Sequence, residues 1–110
     1  MSGDSTGQDE SAEETVIQDA QAALDEVRQR LAEVPAQQVV TNHVMGLYEL
    51  AAIHLSADPP RLADAALAID AVGCLVEGLG GRLGPDATTL GEALSNIRLA
   101  FVQIKSSHPG

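Results

Sequence analysis

The sequence predicts an all-α protein: a four-helix antiparallel bundle, built of a three-helix core plus an N-terminal heptad helix, behind a disordered acidic N-terminal tail. Three observations carry this prediction. Apolar residues recur three and four positions apart over long stretches, the spacing that lines one face of a helix. Pro35, the pair Pro59–Pro60 and the run Gly78–Pro85 divide the chain into four such stretches. Hydrophobic residues make up 45% of the chain but aromatic ones only 2%, so the core must be Leu, Ile, Val and Ala. Such side chains suit close helix packing but bury modest area each, which leaves a thin margin over chain entropy. Self-association is a common remedy in chains this small, and a homodimer is expected.

Residues 1–14 hold five of the sixteen acids and no base, with little to bury, and read as a disordered tail. Ser11-x-x-Glu14 and Thr15-x-x-Gln18 both fit the capping box that starts a helix. The bundle domain is expected over 15–105, with helix one at about 15–34. Its residues Ile17, Ala20, Leu24, Val27, Leu31 and Val34 keep a strict three-four spacing and share one seam. Asp19, Asp25, Glu26, Gln29, Arg30 and Glu33 take the opposite face, with Glu26 four residues before Arg30 in the favourable order. Pro35 stops the helix, because it has no N–H to continue the ladder.

Helix two is expected at about 36–55. Val40, Val44, Leu47 and Ala51 form its stripe, and Val39, Leu50 and Ile53 broaden it enough to predict a position inside the bundle. Asp58 is a suitable N-cap for helix three, about 60–78, with proline accepted in the first turn. Ala63, Ala65, Ala66, Ala68, Ala71 and Gly73 allow close backbone approach there, and helices two and three read as an antiparallel hairpin. Helix four, about 85–105, carries Ala87, Leu90, Leu94, Ile97, Phe101 and Ile104 on its core stripe. Leu99 and Val102 lie off that stripe and are expected to be exposed in the monomer and covered in a dimer. Residues 106–110 read as a frayed end, with His108 solvated.

The glycine-rich run LVEGLGGRLGPD, residues 75–86, tests for a nucleotide site. A dinucleotide fingerprint needs a preceding strand and the spacing G-x-G-x-x-G, and a phosphate loop needs Gly-Lys-Ser/Thr. Gly78, Gly80, Gly81 and Gly84 keep neither pattern. A hinge fits better: Gly78, Gly80 or Gly81 closes helix three, Leu79 and Leu83 turn back to the core, and Asp86 favours the start of helix four. The alternative is an anion site on the first amides of helix four beside Arg82.

The formal net charge of −10 excludes a duplex-binding surface, since Arg28, Arg30, Arg61, Arg82, Arg98 and Lys105 are scattered. An anionic membrane is disfavoured on the same ground. Cys74 is the single cysteine, so no intrachain disulfide forms, and a buried structural thiol in the reducing cytoplasm is the expectation.

His43 and His54 stand eleven residues apart on helix two, about 16 Å along its axis, too far to share a metal. Each is expected to be a hydrogen-bonded residue at the core edge. Asp70 and Arg98 could meet across helices three and four as a two-pronged ion pair that fixes register. A sharper reading adds Asn42, His43 and Glu49, with Tyr48 at the rim, to make a polar pocket. The candidate polar cluster is therefore His43, Asp70 and Arg98, and the candidate interface is Leu99 with Val102. No catalytic residue, cofactor or metal ligand is assigned, because no nucleophile is accompanied by a base and an orienting group.

The runs ELAAIHLSADPP, ALAIDAVGCLVEGLGGRLGPD and NIRLAFVQI resemble a bacterial family of small helical proteins, domain of unknown function 1844. Its members similarly carry an Ala-Leu-x-His-Leu-Gly-like helix end before proline, then an Ile-Asp helix, a Gly-containing turn and a Leu-Arg-x-x-Phe/Tyr-Val helix. The likeness covers about residues 36–104. Ser56 stands where the family usually has glycine, and the HVMGLYELAAIHL version suggests an actinobacterial offshoot. The resemblance implies an all-helical cytoplasmic protein and brings no activity, cofactor or catalytic residue. Members in some actinobacteria are encoded near a translation initiation factor, which implies a translation-associated context. The leading expectation is a non-enzymatic, dimerising protein-interaction module. The alternatives are a small-ligand binder or enzyme using His43, Asp70 and Arg98, and an acidic regulator of a basic partner.

Overall fold

The computed structural model describes residues 2–108, with side chains from Glu10 onward. The described residues are helical throughout, apart from short connections, and hold no strand. Four α-helices follow in order: α1 (Ser2–Glu33), α2 (Ala36–Ser56), α3 (Leu62–Leu79) and α4 (Ala87–Ser107), with a 3-10 segment, Gly80–Asp86, between the last two. The chain divides into two compact units, Met1–Pro35 and Ala36–Gly110.

In the first unit, α1 begins at Ser2, upstream of both expected capping boxes. The stretch expected as a disordered tail therefore lies within the helix, apart from Met1, which is outside the described residues. Thr15 does not cap: its hydroxyl donates to the Ser11 carbonyl at 2.9 Å, the back-bond of a residue inside a helix. Acids near the positive end of a helix favour such an extension. Pro35 follows the last helical turn, as its missing N–H requires.

The second unit is a three-helix bundle rather than four. Val44, Ala51 and Leu55 of α2, Ala65, Ala68, Ile69, Val72 and Val76 of α3, Leu83 of the 3-10 segment, and Leu90, Leu94 and Ile97 of α4 form its buried core. Val40, Leu47, Ala87, Phe101 and Ile104 pack against it half-buried. The expected stripes of α2 and α4 thus face the core. Leu50 and Ile53 do not, being 42% and 64% exposed, so α2 lies at the margin of the bundle. The central helix is α3, whose small residues let both neighbours approach: Ala65, Ala68 and Gly73 are all buried.

Three boundaries of this unit differ from the sequence reading. Helix α3 starts at Leu62, after both prolines; Arg61 is its N-cap, and Asp58 caps nothing. The Arg61 amide instead donates to the His54 carbonyl at 3.0 Å, tying the connection to the end of α2. Helix α4 starts at Ala87 because Gly84, at φ 77° and ψ −145°, interrupts the 3-10 segment ahead of it. At the far end α4 runs through Ser107, so the expected frayed end begins later; residues 109–110 lie outside the described residues.

Candidate functional site

The glycine-rich run is a hinge pinned to the first turns of α2. Gly80, with φ 52°, follows the last residue of α3 in a conformation that side chains disfavour, and its amide donates to the Val76 carbonyl. Leu83 then turns inward, 1% exposed. Its carbonyl accepts from Gln37 Nε2 at 2.8 Å and from the hydroxyl of Thr41 at 3.4 Å. Thr41 is buried at 3% exposure, and this weak hydrogen bond satisfies its hydroxyl. A shallow groove lined by Ala36, Gln37, Val40, Leu79, Arg82 and Leu83 runs beside the hinge. Arg82 lines that groove with residues of α2, and Asp86, the N-cap of α4, makes no side-chain capping hydrogen bond.

The polar cluster takes a different form from the one expected. Arg98 Nη2 donates to Glu77 Oε1 at 2.7 Å, and Asp70 acts on Arg98 only through its charge. The register is the reason. Arg98 lies over Gly73, where an added Cβ would fall 2.6 Å from its Nη2, and from there the carboxylate one turn toward the end of α3 is in reach. The hydrogen bond from Arg98, together with its positive charge, holds the Glu77 carboxyl below its ordinary value, and Glu77 in turn raises the guanidinium. The pair is about half exposed, so it works as a clip on the surface of the α3–α4 contact. The missed signal was Gly73 itself: a glycine one turn before an acid leaves room for a long base from the neighbouring helix.

His43 stays with its own helix. Its ring bonds through Nδ1 to the Val39 carbonyl at 2.8 Å, and the residue is exposed. It lines a surface groove with Asn42, Gly46 and Leu47, not with Asp70 or Arg98. His54 is half-buried, closer to the expected core-edge position. Cys74 corrects the expectation of a buried thiol: it is exposed. The buried positions of α3 are 65, 68, 69, 72, 73 and 76, and residue 74 falls on the side that carries Leu67 and Asp70. Among the described residues, no three of His, Cys, Asp and Glu gather closely enough to hold one metal ion.

Apolar surface remains. Leu99 and Val102 are each 58% exposed, three residues apart on the side of α4 away from its core stripe. Leu67 on α3 and Met45 on α2 are exposed as well. A separate groove between α2 and α4, about 210 Å³, is lined by Tyr48, Ala52, Leu55, Asn96, Ile97 and Ile104, among others. In α1, Ile17, Leu24, Val27 and Leu31 are between 50% and 58% exposed. No helix among the described residues is long and apolar enough to cross a membrane. Compared with family models, with curated proteins and with solved structures, the chain matches none.

Proposed function

We propose that the chain is a non-enzymatic helical module of the cytoplasm whose role is association, with a second copy of itself through Leu99 and Val102. The observation that carries this reading is the exposure of two large aliphatic side chains on a helix whose other face is fully used by the core. Burying such residues is favourable at about 25 cal/mol per Å², and a symmetric contact buries each twice. The fourth helix of the expected bundle, α1, carries an exposed apolar seam of its own. The net charge of −10 would steer a basic partner toward the assembled module, a context that agrees with the resemblance to domain of unknown function 1844. A ligand site on His43, Asp70 and Arg98 has less support, because Arg98 is engaged by Glu77 and the His43 ring by Val39.

Light scattering of the full chain at micromolar concentration tests the proposal. The native chain is expected to weigh as a dimer and Leu99→Glu as a monomer with unchanged helicity. A native chain that is strictly monomeric removes the reading.

A further inference from the structure

We infer that α1 pairs with α1 of a second copy as a short antiparallel coiled coil over Gln18–Glu33, with residues whose numbers sum to 51 at the same level. The inference deepens the association reading above and concerns a different surface from Leu99 and Val102.

The seam of α1 is exposed along most of its length, and most of the stability of a helix comes from packing its apolar face. The spacing of the seam places Ile17, Leu24 and Leu31 at heptad position a, and Ala20, Val27 and Val34 at position d. A parallel pair would set Ala20 against Ala20 and leave a gap, with Leu31 crowding Leu31. Leu24 and Leu31 at a, with Val27 and Val34 at d, also run against the parallel two-stranded preference for β-branched residues at a and leucine at d. An antiparallel pair has mixed layers, Ala20 with Leu31 and Leu24 with Val27, closed at each end by Ile17 against Val34, the residue that follows the helix. Each larger residue then meets a smaller one, and all six positions are used. The seam is complementary to its own reverse, which points to a second copy.

Charge selects the same orientation. The central stretch, residues 20–31, holds Asp25 and Glu26 against Arg28 and Arg30 and is neutral. Asp25 and Glu26 come level with each other in the crossing, but they fall at positions b and c, outside the seam, and each is paired within its own helix, Asp25 with Arg28 at 3.5 Å and Glu26 with Arg30 at 3.9 Å. Asp4, Asp9, Glu10, Glu13 and Glu14 precede the seam. In a parallel pair these ten carboxylates lie side by side. In the antiparallel pair the two acidic stretches leave from opposite ends of an overlap about 24 Å long, beyond the range of screened repulsion.

The test uses the full chain in a Cys74→Ser background. Ala20→Cys and Leu31→Cys proteins, each mass-tagged, are mixed and oxidised with glutathione disulfide. The mixed 20–31 disulfide is expected to predominate; predominance of 20–20 and 31–31 disulfides overturns the antiparallel pair. Sedimentation equilibrium of Leu24→Asp supplies the second readout. Two leucines leave the contact per dimer, and the dissociation constant should rise by about a hundredfold or more. None of the buried core residues lies in α1, so this substitution leaves the bundle intact, and unchanged amide hydrogen-exchange protection of α2, α3 and α4 checks it. If Leu24→Asp leaves a native dimer unchanged while Leu99→Glu dissociates it, the α1 inference falls and the α4 interface stands. The converse result overturns the α4 interface and keeps α1. A native chain that is strictly monomeric overturns both.

Discussion

Gly84→Ala isolates what the glycine-rich hinge does. Gly84 sits at φ 77° and ψ −145°, a region essentially reserved for glycine, where a side chain costs about 1–3 kcal/mol. An added Cβ would also fall 2.7 Å from the side-chain amide of Gln37. That amide must move, and the 2.8 Å hydrogen bond from Gln37 Nε2 to the buried Leu83 carbonyl goes with it. A lost hydrogen bond of this kind costs about 0.5–1.5 kcal/mol, and the 3.4 Å contact from Thr41 is too long to replace it. Reduced freedom of the unfolded chain returns about 0.4–1 kcal/mol. The sum is a destabilisation of about 0.5–4 kcal/mol, centred near 2. Gly80→Ala provides the control. Its φ of 52° is also left-handed, but nothing lies within 4 Å of its added Cβ. It should lose only the strain, about 1 kcal/mol less than Gly84→Ala. Urea unfolding followed by circular dichroism measures both, and Gln37→Ala should shrink the gap between them. Equal losses at the two glycines, or a loss below about 0.5 kcal/mol at Gly84, would refute the pinned hinge.

Two predictions concern the clip between α3 and α4. Arg98 holds the Glu77 carboxyl below its ordinary value of 4.5. A depressed acid contributes stability that is complete above the unfolded-state value and is lost as pH falls through the folded one. The melting temperature of the native chain should therefore exceed that of Glu77→Gln at pH 7, and the difference should close on titration below pH 4.5; a difference that persists at pH 2 contradicts the pair. Gly73→Ala should push the Arg98 guanidinium off its seat and erase the same acid-dependent difference. It should nevertheless gain about 0.5–1 kcal/mol of helix propensity, because the displaced group is the end of a flexible, half-exposed side chain. A large destabilisation would mean that Arg98 cannot move and is structural.

The resulting picture is a small aliphatic bundle with more apolar surface than it covers. The unit of α2, α3 and α4 spends its smallest residues on bringing backbones together, and the bulk it does not use stays on the outside. Leu50 and Ile53 illustrate this. They are apolar and in register with a broad stripe, but a three-helix arrangement has room for only one side of α2. Their exposure follows from the number of helices available to cover them.

The sequence by itself determined the all-α class, the hinge at the glycines and the core stripes of α2 and α4, because these rest on local backbone preference and on a period of 3.6 residues. Val44, Ala51, Leu90, Leu94 and Ile97 could be placed that way, and so could the exposure of Leu99 and Val102. Tertiary structure alone decided which polar groups meet. Whether Arg98 reaches Asp70 or Glu77 depends on the sliding register of two helices, set by Gly73, and neither helix carries that register in its own spacing. The same holds for Gln37 and Thr41, which find the Leu83 carbonyl more than forty residues away. Cys74 faced outward for a related reason: one residue is 100° of turn, and only the packed neighbours say on which side of the helix the core lies.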